Sequence, residues 1–135
     1  MGKPILNKDL EGKPRKHKWE YRTAVGMLSY LQGNSRPEIS MAVHQTARFC
    51  NDPKLCHKQA IVRLGQYLLH RKDKGIIFEP DESKGLECFV DADFAEGWST
   101  TDSTDADNVM PRTGFIIMYV NCPIYWCSKL QTEIA

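Results

Sequence analysis

The chain has 135 residues, 41% hydrophobic and 26% charged, an ordinary balance for a folded protein and one that excludes wholesale disorder. No apolar run reaches the length of a signal-peptide core or a membrane span, so the sequence predicts an intracellular, cytoplasmic chain with no membrane partner. The net charge of +1 hides a division: residues 1–75 carry 15 Lys and Arg against 6 Asp and Glu, whereas residues 76–135 carry 3 against 11. A basic half suits phosphates and an acidic half suits divalent cations, and either is also what a plain solvated surface looks like.

Taken in order, residues 1–18 are rich in Lys, Gly and Pro and read as an extended leader. From Tyr21 the spacing of Tyr21, Val25, Leu28 and Leu31, with Met27 beside them, predicts a helix that stops at Gly33-Asn34. Ser35, Pro37 and Glu38 then resemble a capping box ahead of a second helix, whose apolar face holds Ile39, Ala42, Val43, Thr46, Ala47 and Cys50. Asn51-Asp52-Pro53 breaks it and offers the next cap. A third helix is predicted from Leu55 to His70, with an apolar stripe of Ala60, Ile61, Leu64, Tyr67 and Leu68, and with Lys58, Arg63, Arg71 and Lys72 around the other sides. Three such helices joined by short breaks pack as a small bundle.

After Gly75 the periodicity becomes that of strands. Ile76 to Phe78 is a short apolar run, and "LECFV" alternates so that Leu86, Cys88 and Val90 share one side and Glu87 and Phe89 the other. "GFIIMYV" and "IYWCS" follow, with Asn121-Cys122-Pro123 as a three-residue hairpin link. The polar stretch between Ser99 and Gly114 reads as a flexible loop. The predicted class is therefore α+β, a three-helix bundle followed by an antiparallel meander.

Asp91 and Asp93 end the first strand on the same side as Phe89, with Cα atoms about 6.5–7 Å apart if the strand persists. Carboxylates so placed can share one hard cation or serve adjacent ions, and Mg²⁺ suits oxygen ligands; aspartates at a strand end are also common turn residues. Five cysteines without a secretory signal favour reduced thiols. Cys50, Cys56 and His57 lack the paired spacing of a zinc site and read as structural, as does His44. The basic segments show neither an aromatic-interleaved basic motif nor a helix-turn-helix signature.

Six stretches, "YRTAVGMLSYL", "SRPEISMAVHQTARFCNDP", "HKQAIVRLGQYLLHRKDKGI", "FVDADFAEGW", "RTGFIIMYV" and "IYWCSKLQT", occur in an order that resembles the C-terminal part of copia-type LTR-retrotransposon Pol polyproteins. The resemblance implies that residues 19–75 are the thumb-like helical region of a reverse transcriptase and residues 76–135 the opening of a ribonuclease H domain, its sheet incomplete. Asp91 then matches the first ribonuclease H carboxylate, catalytic and metal-binding, and Asp93 the family's second aspartate, of less defined role. Lys58, Arg63, Arg71 and Lys72 become candidates for contact with an RNA/DNA hybrid or primer–template duplex, and Mg²⁺ the expected cofactor of the complete site. The stretch from Asp102 to Met110 is longer than the common family form.

The resemblance also implies what is missing. The polymerase aspartates have no counterpart in the sequence, and "QTEIA" precedes the helix that would bring the next ribonuclease H carboxylate, so Glu133 is not that residue. The expectation is a fragment inactive alone, whose partner is the remainder of the polyprotein. Its alternatives are a nucleic-acid-binding module without sequence preference and a relic without biochemical role.

Overall fold

A computed structural model of the chain describes residue 6 and residues 8–14, 19–93 and 111–131, with Asp93 through its backbone alone. Helix α1 spans Tyr21–Asn34, a 3₁₀ turn spans Pro37–Ile39, α2 spans Ser40–Ala47 and α3 spans Leu55–His70. Strands β1, Leu86–Asp93, β2, Arg112–Tyr119, and β3, Cys122–Leu130, form one antiparallel sheet in the order β1-β2-β3. The fold is thus α+β, and the contacts divide it into two units between Ile76 and Ile77.

In the helical unit, Tyr21, Val25 and Leu28 recur at the spacing that puts them on one side of α1. They meet Ile39 and Val43 from the second segment and Ile61 and Leu64 from α3 in a single buried cluster. Removing such side chains from water contributes about 1.5–3 kcal/mol each, and this cluster holds the three helices together. Polar groups in it are satisfied: the Tyr21 hydroxyl donates to the Thr46 carbonyl at 2.9 Å, and the Thr46 hydroxyl to the Val43 carbonyl at 2.8 Å. Met27, with 65% of its surface exposed, and Leu31 lie outside the core despite their place near the predicted stripe.

The capping box predicted at Ser35 and Glu38 does not form. The Ser35 amide instead donates to the Leu31 carbonyl and finishes α1, and Glu38 pairs with Arg36 at 2.6 Å. Pro37 opens a 3₁₀ turn rather than an α-helix, so the second helix begins only at Ser40. The next cap is Lys54 rather than Asn51 or Asp52: the Lys54 amide donates to Nδ1 of His57 at 2.9 Å. His57 is 1% exposed and stacks on Phe49 with ring centroids 4.0 Å apart, a packing and capping role. The leader is tied to this unit by the Leu6 amide on Gln45 Oε1 at 3.3 Å and by the Lys13 carbonyl, which accepts from the Leu55 amide at 3.0 Å.

In the sheet unit, Ile76–Phe78 is not a strand, and Ile77 and Phe78 are exposed. The register pairs Leu86 with Tyr119 at one end of β1–β2 and Asp93 with Arg112 at the other. The hairpin link is two residues, not three: Tyr119 pairs with Cys122, so Val120 and Asn121 alone make the turn, both at positive φ, 43° and 68°. Positive φ at both central positions is the type I′ geometry whose twist matches antiparallel strands. Pro123 is accommodated on the edge strand beside an irregularity at Ile117/Met118, where Ile124 is the additional residue on β3.

Candidate functional site

Two places carry the predicted site residues, one in each unit. On the sheet, Asp91 is exposed near the end of β1, and the register sets it across from Gly114, with Phe89 and Glu87 on the same side of the strand. The backbone of Asp93 pairs with that of Arg112, whose buried guanidinium donates to Ser128 Oγ at 3.5 Å. Glu87 lies about 13 Å along the strand from Asp91, too far to share an ion with it.

Among the described residues no cluster of three or more His, Cys, Asp or Glu is arranged to hold a metal. The described carboxylates therefore do not fit a two-metal Mg²⁺ centre, which needs several carboxylates to fix both ions and orient water. Glu96, Asp102, Asp105, Asp107 and Glu133, with the long stretch from Asp102 to Met110, lie outside the described residues. The five cysteines are free thiols. Of these, Cys56 donates to Asp9 Oδ2 at 3.5 Å; burial, and then the Asp9 carboxylate, push its thiol above the ordinary range.

The second place is α3. Arg63, Tyr67 and Arg71 recur every fourth residue and form one stripe down the helix. Lys58 lies about 140° around the axis from Arg63 and about 180° from Tyr67, so it belongs to the other side. Lys72 is exposed just beyond the last turn. Cations at the helix C-terminus are favoured by its dipole even without a ligand, which is the plain structural reason for Arg71, Lys72 and Lys74.

Tyr67 was expected in the apolar stripe, but it is 37% exposed and carries a cation on its ring. The Arg71 guanidinium carbon lies 5.3 Å from the ring centroid and that of Arg36 lies 6.0 Å from it, both within cation–π reach. The aromatic-interleaved basic face that the linear reading did not find is thus present once α3 is wound. The fourfold spacing in "RLGQYLLHR" was its available signal.

Arg36 was missed altogether. It precedes the 3₁₀ turn, and its side chain, 10% exposed, reaches the end of α3: Nη1 donates to the Arg71 carbonyl at 3.2 Å while Nε pairs with Glu38. No local pattern marks a contact over 35 residues. Beside the stripe, a cavity of about 470 Å³ lies between α2 and α3, lined by Met41, Ala42, Gln45, Ala60, Arg63 and Tyr67 among others. Most of its lining is apolar, and Arg63 is among the lining residues.

Comparison with known proteins gives the chain its kin. It is 35% identical over 115 residues to the retrovirus-related Pol polyprotein from transposon RE1 of Arabidopsis thaliana, a match that covers 85% of this chain and 7% of that protein. It is 30% identical along its whole length to the Pol polyprotein from transposon TNT 1-94 of Nicotiana tabacum, covering 10% of it. A third relative, the secreted RxLR effector protein 161 of Plasmopara viticola, is 30% identical over 85% of this chain and 75% of its own length. The chain thus spans a tenth or less of the two polyproteins and three quarters of the third, shorter relative. No family model and no solved structure matches.

Proposed function

From the premise that the chain belongs to the family of retrovirus-related Pol polyproteins of transposons, we propose that it is a segment from the reverse transcriptase and ribonuclease H part of a copia-type member. In this reading the helical unit is thumb-like and holds the sugar–phosphate backbone of a primer–template duplex. The sheet unit supplies the first strands of a ribonuclease H-like domain, with Asp91 as one carboxylate of its Mg²⁺ site and Asp93 beside it. The observation that carries the reading is the alignment with Pol polyproteins over 85% or more of the chain, across both the basic helices and the acidic sheet.

The chain by itself does not cleave. Ribonuclease H chemistry in the full polyprotein requires Mg²⁺ and carboxylates beyond those that the described residues bring together, so the rest of the polyprotein is the partner that completes the site. The test is incubation of the purified chain with an RNA/DNA hybrid and Mg²⁺. The expected result is intact hybrid; cleavage that Asp91→Asn abolishes would overturn the proposal of inactivity.

A second reading, a nucleic-acid-binding module without sequence preference, is favoured by the Arg63–Tyr67–Arg71 stripe. Arg71 and Arg63 neutralise phosphates on this view, and Lys72 adds to the field at the same end, while Lys58 is too far around the helix to touch the same strand. If two to three phosphates are neutralised, log K for a duplex falls against log salt with a slope of about −2 to −3. A fluorescence-anisotropy titration from low to moderate salt reads that slope, and binding that ignores salt would rule this interface out.

A further inference from the structure

We infer that Arg36 is a positioning residue of this interface: it fixes the C-terminal end of α3 so that the Arg71 guanidinium stays docked on Tyr67, facing a phosphate. The inference rests on the nucleic-acid reading of α3 and adds to it a residue that touches no ligand. The geometry is that of a brace. Nη1 of Arg36 donates to the Arg71 carbonyl at 3.2 Å, Nε is held by Glu38 at 2.6 Å, and its Cζ lies 6.0 Å from the same Tyr67 ring that Arg71 approaches to 5.3 Å. Arg71 is also the C-cap of α3, its amide donating to the Tyr67 and Leu68 carbonyls, so backbone and ring are anchored together.

Two physical points favour this over a capping role alone. The Arg71 carbonyl needs only one donor, and a neutral group such as an asparagine amide, or water, would supply it without burying a cation. Arg36 instead buries a guanidinium whose Nη2 makes no hydrogen bond among the described residues and whose counterion, Glu38, is half exposed. The charge is therefore an expensive way to close a helix, and its evident effect is a positive field and a rigid backbone behind Arg71. An exposed arginine otherwise samples many rotamers and loses that freedom when it binds; holding it on the ring beforehand lowers the entropic cost of contact.

The experiment uses the full chain and a fluorescein-labelled DNA primer–template duplex, with the slope of log K against log salt as the main readout and the helical circular dichroism as the check on folding. Arg71→Ala is expected to reduce the slope by about 0.9, one phosphate contact. Arg36→Met should reduce it by the same amount with helicity kept, and the double variant should be no worse than either single one. Arg36→Lys, which keeps the charge but replaces the guanidinium fork by a single ammonium, guards against misfolding and is expected to fall between wild type and Arg36→Met. An independent readout needs no nucleic acid: the Arg71 Nε–H nuclear magnetic resonance signal of the free protein should be ordered in wild type and averaged in Arg36→Met. A wild type that binds with an Arg71-dependent slope that Arg36→Met leaves unchanged, or losses that add in the double variant, would overturn the positioning role alone. A wild type that binds no duplex overturns the nucleic-acid reading, and with it the interface that Arg36 serves.

Discussion

The helical unit and the sheet unit are built from similar shares of apolar residues but use them differently. In the helices, Val43 is 1% exposed, Ile39 2% and Tyr21 3%, and seven side chains close on one another as a core. In the sheet, Leu86 is 70% exposed and Val90 68%, on the side of β1 that also faces Tyr119 across the register, itself 54% exposed. A three-helix unit can turn an apolar stripe of every helix inward. A three-stranded sheet has two sides and can bury a side only against something else. The contrast teaches that the described helices close a core among themselves, while the described strands leave large apolar side chains on their surface.

The sharpest way to break this comparison is to truncate one leucine in each unit. Leu64→Ala, at 9% exposure in the helical core, is expected to destabilise by about 2–5 kcal/mol, whereas Leu86→Ala should stay within about 0.5 kcal/mol. Urea denaturation followed by circular dichroism measures both; equal losses would mean that the sheet has a core of its own.

A smaller effect is expected at the hairpin. Val120 is β-branched and held at φ 43°, where residues other than glycine and asparagine are strained. Val120→Asn should therefore raise the stability of the sheet unit by about 1 kcal/mol, seen as slower amide exchange along β2 and β3. No change would mean that the turn relaxes without strain.

The smallest effect tests the neighbour of Asp91. A Cβ added at Gly114 would meet the Asp91 carbonyl at 3.7 Å, an ordinary contact. Gly114→Ala should change stability by less than about 0.5 kcal/mol and leave the strand register intact. A large loss would show that the close approach of β1 and β2 depends on the missing side chain, which would sharpen the distinction between a sheet set by pairing and a bundle set by packing.

Much of this molecule is legible in its linear order. The bounds of α1 and α3, the three strands, the alternation around Asp91 and the division of charge follow from periodicity and stop signals, because each depends on residues within a turn or two of one another. Side-chain competition was less legible. Ser35 and Glu38 had the spacing of a capping box, but Leu31 and Arg36 offered them better partners, and the hairpin turn starts one residue earlier and is one residue shorter because Val120 accepts a left-handed conformation.

The candidate sites divide in the same way. Local patterning put Asp91 and Asp93 at a strand end and Lys58, Arg63, Arg71 and Lys72 around a helix, and the family resemblance made candidates of them. Winding α3 into a helix was needed to separate Lys58 from that stripe and to bring Tyr67 between the arginines. Folding the chain back on itself was needed to bring Arg36 to Arg71, a contact over 35 residues that arises only because a shared core docks α1 and α2 against α3. Composition and periodicity fix what each segment can be; which distant charges meet is settled by the closure of the core, whose packing is not written in any local stretch.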